Sequence, residues 1–252
     1  MWFPSPYPDE LFYSVLCRYY LSSGIKEHYL VKKQLFGTKA GVKMATLYPN
    51  AAVHAVLSQL PEGVFDGRDM ILHHTPFLYY ARMHPQQERE VLLDDLLQGR
   101  SKTPTHLWRT FPKGDYALRY CPLCIQEDTK IYGEAYYHVE HQIPLSSVCV
   151  RHRCRLKQIT IDNPRLALNN KFYPLSTMET DREPDMDVTA AELQVSELVR
   201  EYWRLPASVS PPACNNLYQT LLNSGYRTIV RQTGLNIDRA KLYTALCGCH
   251  GA

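Results

Sequence analysis

Apolar residues recur at helical spacing along the first hundred residues of the chain. Leu11, Val15 and Leu16 follow an acidic start that suits a helix N-terminus, and Gly24 predicts where this helix ends. The same periodicity predicts further helices at about 26–36, 49–60, 65–74 and 85–97. The glycine-containing turn between the first two helices is compatible with a helix-turn-helix. The N-terminal third is therefore predicted to be all-helical.

A second helical region is predicted near the C-terminus. In 188–205, Thr189 followed by Glu192 has the spacing of a capping box, and an apolar stripe follows. Shorter helices are predicted at 216–223 and 238–246. The preceding stretch, 174–187, is rich in acidic residues and favours a solvated linker.

Composition excludes several classes of protein. The 252 residues are 45% hydrophobic with a net charge of +3, which is ordinary for a globular protein and permits nucleic-acid binding without requiring it. No apolar run is long enough to span a bilayer, and the first residues lack the features of a signal peptide. We therefore predict a cytoplasmic protein with no membrane partner.

Cysteine spacing gives the most specific chemical signal in the sequence. Cys121-x2-Cys124 is followed, after 24 residues, by Cys149-x2-His152. Two such pairs can place four ligands on one tetrahedral ion, so we predict a single structural Zn²⁺ site. The same reasoning leaves alternative ligands open: His138, His141 and Cys154. A second metal site is a weaker alternative, from Cys214, Cys247, Cys249 and His250.

No catalytic residue is predicted. Glu140 beside His138 superficially resembles a zinc deaminase, but there the cysteine pair follows the histidine, whereas here it precedes it. The chain has neither a phosphate-binding glycine loop nor a nucleophile elbow. A metalloenzyme acting on nucleic acid stays open as an alternative, in which Glu134 or Glu140 would be essential.

Basic residues concentrate on both sides of the cysteine cluster, and aromatic residues interleave with the first group. Such a zinc-organised basic surface would bind phosphates with salt-sensitive affinity. The candidate DNA-binding residues are Lys102, Arg109, Lys113, Arg119, Arg151, Arg153, Arg155 and Lys157. The sequence thus predicts a mainly α fold: a helical, helix-turn-helix-like domain at 1–100, a zinc-finger or ribbon module at 101–173, an acidic linker at 174–187 and a helical region at 188–252, whose completeness is left open.

Two ordered blocks of residues resemble the TniQ/TnsD family of transposon target selectors. The first is Phe3-Pro4-x-Pro6-Tyr7-x-Asp9-Glu10-Leu11-x-Tyr13-Ser14, followed by Arg18-Tyr19. The second is Arg119-Tyr120-Cys121-Pro122-x-Cys124, Tyr132-Gly133-Glu134, His141-Gln142-x-Pro144 and Cys149-x2-His152. Together they cover roughly residues 3–157.

The resemblance implies a non-enzymatic adaptor for target selection in DNA transposition. Its implied partners are target DNA, a TnsC-type AAA+ ATPase and, for members of CRISPR-associated transposons, an RNA-guided effector complex; a homodimer is left open. We further hypothesise that Trp2 and Phe3 anchor on TnsC, with Tyr7 in the same motif. The alternative function is a zinc-finger transcription regulator that binds duplex DNA by itself.

Overall fold

The structure is a computed structural model that describes residues 2–37, 52–63, 65–82, 84–100, 117–162 and 164–209, together with two strands at 227–230 and 234–237. The N-terminal helices are α1 (Phe12–Ser23), α2 (His28–Phe36), α3 (Ala52–Leu57), α4 (Gly67–His73), α5 (Phe77–Ala81) and α6 (Gln86–Leu97). The later helices are α7 (Pro122–Tyr132), α8 (Val139–Gln142), α9 (Pro164–Asn170) and α10 (Ala190–Arg204). The predicted mainly α fold is confirmed.

Helix α1 is the centre of the N-terminal core. It buries residues on nearly every side, including Phe12, Tyr13 and Leu16, and α2 packs against it. Gly24 ends α1 in the left-handed conformation, with φ of 69°, which glycine adopts without steric cost. The predicted stop is therefore confirmed, and helices α3, α4 and α6 complete the core by packing on one another.

Within the described residues, the strands are short and form two-stranded antiparallel sheets. Strand β1 (Arg119–Tyr120) pairs with β4 (Lys157–Gln158), and β2 (Val148–Cys149) pairs with β3 (Cys154–Arg155). In the β2–β3 hairpin, Cys149 lies opposite Cys154. These pairings bring the two halves of the cysteine cluster to one end of the central module.

Several elements were not predicted. The short helices α5, α7, α8 and α9 were missed, as was the hairpin of β5 (Arg227–Val230) with β6 (Gly234–Ile237). Strand β5 contains the β-branched run Thr228-Ile229-Val230, which favours a strand. The helices predicted at 216–223 and 238–246 lie outside the described residues.

Helix α10 is joined to the N-terminal helices by a buried arginine. Thr189 and Glu192 form the predicted capping box at its start, and the helix packs on α5 and β2. At the C-terminal end of α10, main-chain carbonyls accept hydrogen bonds from the fully buried guanidinium of Arg82. The acceptors are Trp203 at 3.1 Å, Pro206 at 3.0 Å, Val209 at 3.2 Å and Leu205. The Trp203 carbonyl is one that the C-terminus of α10 leaves without a helical partner, and the other acceptors belong to the segment that follows the helix.

No helix in the described part of the chain combines the length and the apolar character needed to cross a membrane.

Replacing Arg82 by Met should lower the free energy of unfolding by about 3 kcal/mol or more, because buried carbonyls lose charged donors. Urea denaturation measures this loss. The control is Arg68→Met, since Arg68 pairs with Glu90 at the surface, with both side chains 44% exposed; it should cost below about 1 kcal/mol. Equal losses in the two variants would contradict a structural role for Arg82.

Candidate metal centre

Local structure aims the four predicted ligands at one point. Cys121 caps the N-terminus of α7, where its Sγ accepts a hydrogen bond from the Cys124 N–H at 3.4 Å. Pro122 occupies the first helical turn, where its missing N–H costs nothing. The β2–β3 hairpin supplies Cys149 from its first strand and His152 from its turn. One helix start and one hairpin therefore provide two ligands each.

The four side chains have the separations that a tetrahedral ion requires. Their ligand atoms all lie within 4.8 Å of one another. Zn–S bonds of about 2.3 Å and Zn–N bonds of about 2.0–2.1 Å imply S···S and S···N separations of about 3.8 and 3.6 Å in a tetrahedron. The Sγ atoms of Cys124 and Cys149 are 3.8 Å apart, and His152 Nδ1 lies 3.3 to 3.7 Å from the three sulfurs. The cluster could therefore hold a metal ion such as zinc.

A carboxylate lies beside the histidine of this set. Glu127, one turn after Cys124 on α7, places Oε2 3.1 Å from His152 Nε2. Its other oxygen lies 2.6 Å from Arg151 Nη2. A carboxylate at Nε2 favours the tautomer that leaves Nδ1 free to face the sulfurs, as is usual for metal-binding histidines. The i, i+3 spacing from Cys124 along a helix was the signal that sequence reasoning missed.

The alternative ligands divide into two groups. Cys154 Sγ lies 3.3 Å from Cys121 Sγ, and His141 Nε2 lies 3.9 Å from Cys124 Sγ, so both border the cluster. The four residues whose ligand atoms all lie within 4.8 Å of one another are Cys121, Cys124, Cys149 and His152. His138 is turned toward two carboxylates instead.

His138 is the centre of a buried ionic cluster beside the cysteines. Its Nε2 lies 3.0 Å from Asp128 Oδ2 and its Nδ1 lies 3.4 Å from Asp9 Oδ2. Burial alone would lower the pKa of His138, but the hydrogen bond to Asp128 and the nearby carboxylate of Asp9 raise it to about 10. Asp9 has φ of 58°, a strained value for a residue with a side chain. An imidazolium between two carboxylates therefore joins the N-terminal segment to α7.

Arg18 makes the second connection between the N-terminal motif and the module. Its guanidinium contacts Glu10 at 2.9 Å and Glu134 at 2.7 Å, and lies 3.7 Å above the ring of Tyr7. Burial raises the pKa of Glu10 to about 7, while the charge of Arg18 opposes this shift. Glu134 follows Gly133, whose φ of 82° ends α7 in the left-handed conformation. Arg18 therefore has two acidic partners, one from the N-terminal motif and one from the module.

The candidate DNA-binding residues have different surroundings. Three of them lie outside the described residues: Lys102, Arg109 and Lys113. The same is true of the residues considered for a second metal site, Cys214, Cys247, Cys249 and His250. Arg119 donates to the carbonyls of Ile143 and Ser146, each at 3.2 Å. Arg155 and Lys157 form ion pairs with an acidic segment, and Arg151 pairs with Glu127. Arg153 is exposed at the β2–β3 turn and forms no ion pair among the described residues.

The candidate partner-binding residues also differ from one another. Trp2 is 67% exposed, whereas Phe3 is buried against the rings of Tyr19 and Phe65. Tyr7 stacks on Tyr132, with 4.4 Å between ring centroids. Of these three residues, Trp2 presents the most side-chain surface for a partner.

The first 156 residues match the family model for TniQ. This stretch contains both the N-terminal motif and the four residues of the candidate metal centre. A protein of Escherichia coli, Transposon Tn7 transposition protein TnsD, is 27% identical to the chain over 155 residues. The alignment covers 60% of this chain and 30% of that protein, so the chain matches well under two thirds of the relative's length.

Replacing Glu127 by Gln should weaken zinc binding by about 10- to 100-fold, because the histidine loses the carboxylate that orients it. Competition with a chromogenic chelator measures the affinity. Glu62→Gln, an exposed change on another part of the chain, is the control and should leave the affinity unchanged. Cys149→Ser should abolish binding; a stoichiometric zinc content in that variant would contradict the ligand set.

The ionic cluster predicts a stability that falls as pH rises. The folded-state pKa of His138, about 10, exceeds its ordinary value of 6.5. Its contribution is therefore fully present below pH 6.5 and is lost as pH rises through 10. The difference in free energy of unfolding between the parent and His138→Gln should shrink by about 3 kcal/mol between pH 7 and 10. A difference that does not vary with pH would show that His138 is neutral in the folded protein.

Proposed function

Because the chain belongs to the TniQ family, we propose that it is a non-enzymatic target-selection adaptor in DNA transposition. It links target DNA, or an RNA-guided effector complex bound there, to a TnsC-type AAA+ ATPase. The observation that carries this proposal is the extent of the family match. Residues 1–156 include the N-terminal motif, the metal centre and the ionic contacts between them, so the matched residues make one connected unit.

The proposed DNA contact is the turn of the β2–β3 hairpin. Arg151 and Arg153 are exposed there, beside the candidate ligand His152. A metal ion in the cluster would fix this turn, because the hairpin supplies two of its ligands. Arginines on a fixed turn can bind phosphate oxygens without reading base sequence. This supports an adaptor that holds DNA while a partner recognises the target.

The proposed ATPase contact is the N-terminal end of the chain. Phe3 fixes this end to the core through Tyr19 and Phe65, and the neighbouring Trp2 is directed outward. An indole held in place at low conformational cost is the kind of anchor that dominates protein interfaces. We assign the anchoring role to Trp2, with Phe3 and Tyr7 positioning the segment that carries it.

Trp2→Ala should reduce capture of the cognate TnsC about tenfold or more, since a central aromatic anchor contributes about 2 kcal/mol. A pull-down with zinc-loaded protein, with and without duplex DNA, measures this. Tyr29→Ala is a matched control, because Tyr29 is 68% exposed, nearly as much as Trp2, and lies on α2. Unchanged capture by Trp2→Ala would rule out the anchor.

The same experiment separates the adaptor from the alternative regulator. An adaptor captures the ATPase, and its binding to duplex DNA depends little on sequence. A transcription regulator shows marked sequence preference on duplex DNA and does not capture TnsC. Failure of the parent protein to capture TnsC in either condition would contradict the adaptor proposal.

A further inference from the structure

An acidic segment, residues 181–192, lies against the basic edge of the central module. This edge is the part of the module that carries Arg153, Arg155 and Lys157. We call the acidic segment the acidic strap. Arg155 makes a two-point contact with Glu192, at 2.5 and 3.0 Å, and its Nε lies 3.5 Å from Asp185 Oδ2. Lys157 pairs with Asp181. Two of the candidate DNA-binding residues named from the sequence are thus already bound to carboxylates of the same chain.

Main-chain contacts fix the course of the strap. The Arg155 N–H donates to the Asp185 carbonyl at 2.9 Å, and the Asp181 N–H donates to the Tyr120 hydroxyl at 3.0 Å. Arg155 Nε also donates to the Asp187 carbonyl at 2.8 Å. The carboxylates therefore occupy defined positions along β3 and β4, unlike those of the solvated linker predicted for 174–187.

The ion pairs of the strap can be exchanged for others. The side chains of Asp181 and Asp185 are 64% and 45% exposed, and that of Arg155 is 35% exposed. Exposed ion pairs such as those of Asp181 and Asp185 contribute little stability and are screened by salt, whereas the two-point contact of Arg155 with Glu192 is the firmer one. An arginine that binds a carboxylate at two points binds a phosphate in the same geometry. The strap therefore offers the ligand geometry of a nucleic-acid backbone to the residues that would bind one.

The basic edge continues beyond the strap. Arg153 lies in the β2–β3 turn with φ of 52°, Arg155 lies in β3 and Lys157 begins β4, so the three cations are close neighbours along the chain. Arg153 is open, while the strap covers the other two. A DNA duplex whose phosphates contact Arg153 would therefore compete with the strap for Arg155 and Lys157.

We propose that the acidic strap is an internal competitor of duplex DNA, which covers Arg155 and Lys157 until a DNA phosphate backbone displaces it. The inference rests on the DNA contact in the proposed function and adds its regulation. While the strap covers Arg155 and Lys157, the protein binds DNA weakly, through the β2–β3 turn. Binding of further DNA phosphates to Arg155 and Lys157 displaces the strap.

The test uses the full chain loaded with zinc and a 30-base-pair duplex of arbitrary sequence. Binding is measured by fluorescence anisotropy over a series of salt concentrations. Asp181→Asn with Asp185→Asn removes two strap charges and keeps Glu192, which also caps α10. The double variant should bind about tenfold more tightly at low salt, with a log–log salt slope steeper by about 0.9 for each additional phosphate that the protein neutralises.

The control removes two charges elsewhere. Glu88→Gln with Glu90→Gln has the same charge change on α6 and frees Arg68 from its surface ion pair. It should change the affinity less than twofold. Adding Lys157→Gln to the strap variant should reverse most of the increase in affinity, and thermal denaturation should show that every variant is folded.

Each outcome decides between the inference and the proposed function. A strap variant within twofold of a parent that binds DNA would overturn the inference and leave the DNA contact standing. An equal increase in the control would reduce the effect to net charge and would also overturn it. If neither the parent nor the strap variant binds, the DNA contact itself is wrong and the inference falls with it. Binding by the strap variant alone would support complete masking.

Discussion

The guanidinium of Arg18 holds the N-terminal motif and the cysteine module together. It is a single charge on the first helix that neutralises one carboxylate from each side, Glu10 and Glu134, under a tyrosine ring. Removing it would leave the fully buried Glu10 without its cation, which is the costly way to break a buried pair. This contact acts together with the continuous apolar core to fix the candidate metal centre relative to the N-terminal helices.

The imidazolium of His138 repeats this arrangement, with the cation now contributed by the cysteine module. A cation from the module lies between Asp9 of the N-terminal segment and Asp128 of α7, and the Val139 N–H donates to the Asp9 carbonyl at 2.8 Å. The ligand helix α7 is thus fixed at both ends, by Cys121 at its start and by Glu134 just after its end. A preformed donor set needs little reorganisation to bind an ion, which is why these contacts matter for a metal site.

Sequence reasoning succeeded where the determining contacts are local. Cysteine spacing predicted a donor set that the structure assembles, and caps and apolar stripes predicted α1, α6 and α10. It failed where the partners are distant along the chain. Asp9 and His138 are 129 positions apart, and no periodicity links them. Charge pattern alone also favoured a solvated linker at 174–187, because it cannot show that these acids have cations to contact.

The carbonyl contacts of Arg82 have a consequence for the order of folding. Its acceptors lie 121 to 127 positions later in the chain, so they leave the ribosome long after α5. During synthesis the guanidinium must stay hydrated, which keeps that side of the N-terminal core open until residues 203–209 emerge. The helical domain at the beginning of the chain is therefore completed only after residues 203–209 have been made, and contacts across so long a stretch of chain form slowly.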